Sequence, residues 1–172
     1  RRFHIGEMVE LDDFPLLWAW FEEDALLERM GKPRLHTDAQ GYFLWQHLWD
    51  VLIERLGLEY AKKARDLGAA AEGTTFLVEF SRGTEHGGYR SAFEHLPAEM
   101  LKRAALLYVD VPWEESLRKN RRRFNPDRPH SILEHGLSDE KLEKLYRLDD
   151  WDEVPRADPD HLLVRGRLLP AV

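Results

Sequence analysis

The chain has 172 residues, about one domain's worth, and 43% of them are hydrophobic, including six Trp, eight Phe and five Tyr, so it can bury a real core. Twenty-five basic residues against 32 acidic ones give a net charge of −7, the wrong sign for a general electrostatic nucleic-acid binder. There is no cysteine, which excludes disulfides, thiolate catalysis and cysteine-ligated zinc.

The longest apolar run, Phe14 to Phe21, is far shorter than the roughly twenty residues a spanning helix needs. Arg1-Arg2-Phe3-His4 does not resemble the start of a signal peptide. A cytoplasmic protein with no membrane partner is the expectation. The chain opens without Met and closes on Leu168-Leu169-Pro170-Ala171-Val172. It reads as an internal fragment of a longer protein.

In chain order, Phe3 to Leu11 reads as a strand, with Phe3, Ile5, Val9 and Leu11 alternating. A helix follows, because Phe14, Leu17, Trp18, Phe21 and Ala25 fall on one face; Asp13 is its expected cap and Gly31 and Pro33 its stop. The spacing predicts a second helix from about Asp38 to Leu67, with an apolar stripe from Trp45 to Tyr60 and an interruption at Gly57. Gly68 to Gly73 is a turn.

Thr74 to Phe80 reads as a buried strand, β-branched and aromatic, with Glu79 near its end. A Gly-rich loop, Ser81 to Gly88, leads to a helix or helix pair over Tyr89 to Arg103. Ala105 to Val111 reads as another buried strand. A helix begins near Trp113, Asn125 to His130 is a turn, Ser131 to Gly136 is helical, and Ser138 alone caps the next helix. Leu162 to Val164 is a last strand. Strands alternating with helices predict an α/β domain, three-layer αβα with a mostly parallel sheet.

Ligands of such sheets bind beyond the carboxyl ends of the strands, where this chain places acids: Asp12 and Asp13, Glu79, and Asp110. A carboxylate at the end of a buried strand has to be paired, hydrated or bound to a metal. Glu79 is therefore either an acid that organises Mg²⁺ or water, or a structural ion-pair partner. One of Asp12 and Asp13 suffices to cap the helix, leaving the other to receive a proton or bind a substrate.

Leu117 to Arg128 carries Arg118, Lys119, Arg121, Arg122, Arg123 and Arg128 against the single acid Asp127. Arginine grips phosphates bidentately, so the cluster fits a triphosphate, a phosphorylated substrate or an RNA backbone; otherwise it is a surface face paired with nearby acids. Arg82, Arg118, Arg121, Arg122 and Arg128 are the candidate phosphate-binding residues. The glycines of the Ser81–Gly88 loop either admit a ligand close to the backbone or only make the loop mobile. His130 and His135 do not have metal-ligand spacing. Gly68-Ala-Ala-Ala-Glu-Gly73-Thr74-Thr75 imitates a phosphate-binding P-loop, but it lacks the lysine and precedes a strand instead of following one.

The order of these pieces resembles P-loop kinases of the nucleoside/nucleotide-kinase type. The stretches Phe76-Leu-Val-Glu-Phe-Ser-Arg-Gly83, Tyr108-Val-Asp-Val-Pro-Trp-Glu-Glu-Ser-Leu-Arg-Lys-Asn-Arg-Arg-Arg123 and Asn125-Pro-Asp-Arg-Pro-His-Ser-Ile-Leu-Glu-His-Gly136 are similar to a bacterial group of P-loop proteins. The resemblance implies a single P-loop NTPase-like domain over 1–172 that lacks its first strand and Walker A segment, with 113–150 as an Arg-rich lid. It implies ATP and Mg²⁺ as cofactors and a small-molecule acceptor. Asp12 or Asp13 would contact or deprotonate that acceptor, Glu79 would take the acidic position of the Walker B-like strand, and Arg118, Arg121 and Arg122 would neutralise the transferring phosphoryl group. The alternatives are a non-catalytic RNA or phosphoprotein binder working through Arg118 to Arg128, and a degenerate kinase scaffold.

Overall fold

The computed structural model describes residues 6–128, 131 and 134–172. The chain divides into two compact units, residues 1–80 with 95–100, and residues 81–94 with 101–172.

In the first unit, strand β1 (Met8–Asp12) is shorter than the alternation predicts, and Phe3 to Ile5 lie outside the described residues. Helix α1 (Phe14–Arg29) starts where expected, with Pro15 in its first turn. Its cap differs: the Asp13 side chain makes no cap hydrogen bond, and Asp12 Oδ1 instead accepts from the Phe14 amide at 2.9 Å.

The second helix, α2 (His47–Leu67), begins nine residues later than the start predicted near Asp38. Asp38 is the reason. Its Oδ1 accepts from the amides of Gln40 and Tyr42, and this local turn competes with the helix. The segment folds back so that Thr37 bridges Phe43 in antiparallel fashion. Phe43 then packs between Trp20 and Trp49, with ring centroids 5.6 and 4.5 Å away. Trp20, Trp49 and Leu52 form the centre of this core. Gly57 does not interrupt α2; a side chain there would meet Pro97 at 2.5 Å.

A 3-10 turn over Gly68–Gly73 leads into β2 (Thr75–Glu79). β1 and β2 pair in parallel, with Met8 opposite Thr75 and Asp12 opposite Glu79. β2 is less buried than its composition predicts: Phe76 and Val78 are half-buried, while Thr75, Leu77 and Glu79 are exposed. The cause is the width of the sheet. Among the described residues β2 has one strand neighbour, so its apolar side chains are covered only in part.

Of the expected helix pair, α3 (Gly88–Glu94) belongs to the second unit, whereas α4 (Ala98–Leu101), after Pro97, lies in the first except for its last residue. The Arg-rich helix α5 (Trp113–Arg123) follows. A turn at Asn125–Arg128 comes next; Pro129, His130, Ile132 and Leu133 lie outside the described residues, and Ser131 and Glu134 to Gly136 are not helical. Helix α6 (Asp139–Tyr146) is capped by Ser138, whose hydroxyl accepts from the Lys141 amide, as its sequence indicates.

Ala105 to Val111 is not a buried strand. It makes a single parallel bridge, Leu106 to Ala171, and leaves Leu107 74% and Val109 68% exposed. The chain then ends in an antiparallel meander of β3 (Arg156–Asp158), β4 (His161–Val164) and β5 (Arg167–Pro170). Only β4 was legible in the sequence. The β4–β5 turn is the two residues Arg165 and Gly166, at φ +48° and +74°, the pair of positive values that a tight hairpin turn demands. The buried side of this sheet carries Leu162, Val164, Leu169 and Ala171. Trp151 and Tyr108 stack nearby at 4.3 Å, and Tyr89 meets Trp151 edge-on. Burial, reinforced by the hydrogen bond to Asp149, raises the Tyr108 phenol well above its ordinary pKa, so it stays protonated. No helix of the described residues is long and apolar enough to cross a membrane.

Candidate functional site

The parallel pairing places Asp12 and Glu79 side by side at the carboxyl ends of β1 and β2. The Asp13 amide donates to the Glu79 carbonyl at 3.4 Å and closes the ladder just beyond them. Residues two apart on a strand share a face, so Glu10 stands with Asp12, and Leu77 with Glu79. Together with Leu11 these residues line a cavity of about 130 Å³. That volume corresponds to about four waters at roughly 30 Å³ each. It suits a partly hydrated cation or the tip of a phosphoryl group, and it is too small for a whole nucleotide, since ligand pockets typically run to about 300–1,000 Å³.

Three carboxylates therefore share one face of a two-stranded parallel sheet. Among the described residues no group of three or more His, Asp and Glu converges tightly enough to hold a metal ion alone. Asp12 and Glu79 fit Mg²⁺ only in the manner usual for that ion, in which one or two carboxylates combine with water and substrate oxygens. Glu79 is exposed, not buried as expected for the end of a covered strand. Asp13 is 7% exposed and lies at the start of α1. Glu10 was missed in the sequence. Its position two residues before Asp12 on a strand was the signal that could have found it.

The arginines belong to the second unit and are mostly engaged. Arg118 makes a bidentate pair with Glu115 at 2.7 and 2.6 Å, and Arg121 reaches Asp139 at 2.5 Å. Arg123 donates to the His135 carbonyl, and Arg128 pairs with Glu134 at 2.8 Å. The hydrogen bonds from Arg118 and Arg121 lower the pKa values of Glu115 and Asp139. Arg122 makes no ion pair among the described residues. The acids that pair α5 come from its own first turn and from the segment after it, so the helix is less available to a polyanion than its composition implies. Arg82 is 3% exposed and donates to the Ser81 carbonyl at 2.7 Å, a buried position instead of a presented one.

The Gly-rich loop serves packing. Gly83 presses against the last turn of α6, and just beyond that helix the Thr84 amide donates to the Leu148 carbonyl at 2.8 Å. His86 is buried in this loop, and its Nδ1 accepts from the Gly83 amide at 3.2 Å. Burial, aided by the Arg82 charge, pulls the His86 pKa down to about 3. The folded state holds this ring neutral, whereas the unfolded chain protonates it near its ordinary pKa of 6.5. Its contribution to stability is whole above pH 6.5 and drains away as the pH falls toward about 3. The slope attributable to this one group is about 1.4 kcal/mol per pH unit. Urea titrations at stepped pH check this, and a flat profile between pH 6 and 4 would refute it.

No protein-family model, no curated protein and no solved structure matches this chain.

Proposed function

We propose that the chain is a P-loop kinase-like phosphotransferase or NTPase domain that handles a nucleoside triphosphate with Mg²⁺ and a small-molecule acceptor. The observation that carries this reading is the placement of Asp12 beside Glu79 at the carboxyl ends of two parallel strands, over a cavity of ion size. Acids in that place suit phosphoryl transfer, where catalysis is mostly positioning and charge neutralisation. When bound, Mg²⁺ supplies part of that neutralisation on the phosphoryl oxygens. Glu79 and Asp12 would hold its water shell, and Asp13 would contact the acceptor. These 172 residues contain no G-x-x-x-x-G-K-[ST]. A mostly parallel αβα sheet of the P-loop type is part of the same proposal, as is a cytoplasmic setting.

The competing reading, an RNA or phosphoprotein binder, draws on α5. It has less support because Arg118, Arg121 and Arg128 already hold acids. A catalytically dead scaffold would share the fold and bind no Mg²⁺-nucleotide.

Glu79→Gln separates these readings. The side chain is exposed, so the variant should unfold at the same temperature as the parent. Mg²⁺-dependent nucleotide turnover should drop by about a hundredfold or more, as for loss of a group that stabilises transition-state charge. Steady-state kinetics with and without Mg²⁺ provide the measurement. Unchanged turnover would remove Glu79 from the mechanism, and a parent protein with no Mg²⁺-dependent nucleotide binding would overturn the proposal.

A further inference from the structure

The meander of the second unit has one face turned to solvent, and apart from His161 and its partner Asp158 at one end that face is apolar. Leu163 and Leu168 are direct cross-strand partners and are 43% and 58% exposed. Alternation along β5 places Pro170 and Val172 on the same side as Leu168, and Val172 is 88% exposed. The sheet continues sideways. The Leu106 amide donates to the Pro170 carbonyl, the Val172 amide to the Leu106 carbonyl, and the Tyr108 amide to the Val172 carbonyl, at 2.7, 3.0 and 2.8 Å. Leu106 thus lies beside Ala171 on the buried side, and Leu107 and Val109 extend the exposed one.

The five exposed Leu and Val side chains present on the order of 600 Å² of apolar surface, at the upper end of the largest patch a monomer usually carries. Two such faces in contact bury about 1,200 Å², the lower limit for a specific and reversible interface.

The ends of this face carry opposite charges. β4 runs from a turn containing Asp158 and Asp160 to a turn containing Arg165, with Arg167 starting β5. The segment beside β5 runs the same way as β5, from Lys102 and Arg103 to Asp110. Lys102, Arg103 and Arg167 line an open groove of about 620 Å³ at the basic end.

From this geometry we infer that the face binds a second copy of this chain. Two copies stack sheet on sheet, about 10 Å apart, related by a twofold axis that lies between the sheets and across the strands. That axis reverses strand direction, so the Arg165–Arg167 end of each copy faces the Asp158–Asp160 end of the other. The charge pairing occurs twice and selects this orientation over the one with strands aligned, which brings like charges together. The inference is independent of the phosphotransferase proposal and survives its failure.

Sedimentation over a wide concentration range tests it. The parent chain should show a reversible monomer–dimer equilibrium that weakens with salt. Leu168→Glu, at an exposed position, should raise the dimer dissociation constant at least tenfold with an unchanged circular dichroism spectrum. Arg167→Glu places a negative charge within the basic end and Asp160→Arg a positive charge within the acidic end, so each variant alone should dimerise more weakly than the parent. An equimolar mixture of the two should dimerise more tightly than either alone, because the two introduced charges then face each other as opposites. A parent that stays monomeric at every concentration overturns the inference, as does a mixture that dimerises no more tightly than either variant alone or a dimer indifferent to Leu168→Glu. A monomer that instead binds vesicles of anionic phospholipid would assign the face to a membrane surface and overturn it too.

Discussion

Asp24→Ala should destabilise the protein by about 3–5 kcal/mol, the range for stripping the partner from buried charged hydrogen bonds. Asp24 lies on α1 and is fully buried. Its Oδ1 accepts from the Leu35 amide at 2.7 Å and the His36 amide at 3.2 Å. Its Oδ2 accepts from the Thr37 amide at 2.6 Å and the Thr37 hydroxyl at 2.7 Å. Arg34 adds its charge at 3.9 Å. These bonds latch the 34–37 segment onto α1 and hold the His36 ring flat on Trp20, with centroids 5.0 Å apart. Truncation to Ala leaves several buried donors unsatisfied at once. Asp24→Asn keeps one acceptor oxygen and should cost about half as much.

The same residue sets an acid limit. Burial by itself would raise the Asp24 pKa, but the hydrogen bonds from Thr37, Leu35 and His36 outweigh it and bring the pKa below the ordinary 3.8. A depressed carboxyl stabilises the fold fully above its unfolded pKa and loses that contribution as the pH falls through its folded one. Asp24 therefore acts below about pH 4, beneath most of the window in which His86 titrates. Chemical denaturation of Asp24→Ala and Asp24→Asn gives both numbers; a loss under about 1 kcal/mol for Asp24→Ala would show that the latch is dispensable.

Gly83→Ala should cost about 2–4 kcal/mol. A Cβ at this position would overlap the Leu145 carbonyl oxygen and stand 2.9 Å from its carbon and 3.0 Å from the Leu148 oxygen. All three are backbone atoms, of the last turn of α6 and of the segment just after it, which cannot rotate aside as a side chain would. Either the loop lifts away, losing the Thr84–Leu148 hydrogen bond and exposing His86, or the end of α6 unwinds. Glu85→Ala, on the exposed surface of the same loop, is the control and should change stability by no more than about 0.5 kcal/mol. Thermal denaturation compares the two. Equal midpoints would mean that the loop is as mobile as its glycine content suggests.

Local pattern was enough for much of this molecule. The 3.6-residue apolar spacing of Phe14 to Ala25 and of Trp49 to Leu56 marks helices wherever they pack, and Ser138 caps because a cap needs only its own next three residues. The acids that close β1 and β2 were likewise visible as strand-end residues, and parallel pairing in register was all that remained to bring Asp12 beside Glu79.

Other features depend on partners distant in sequence. The Asp38 turn that delays α2 is local, but nothing local to residues 38–46 reveals that Asp24 holds Thr37 and that Thr37 bridges Phe43. Ala105 to Val111 has the composition of a covered strand, yet coverage is a property of its neighbours, and here it gains only the edge at Ala171. The arginines of α5 read as a phosphate site because they are consecutive; Asp139 and Glu134, which take up Arg121 and Arg128, sit 18 and 6 residues away and reach them only once the chain has turned. Residue type and period dictated which segments became helices and where the charged groups lie along them. The contacts made across the fold decided which charges were neutralised, which apolar faces were covered and which strands found a ladder, because burial and pairing energies belong to pairs of segments and not to either segment alone.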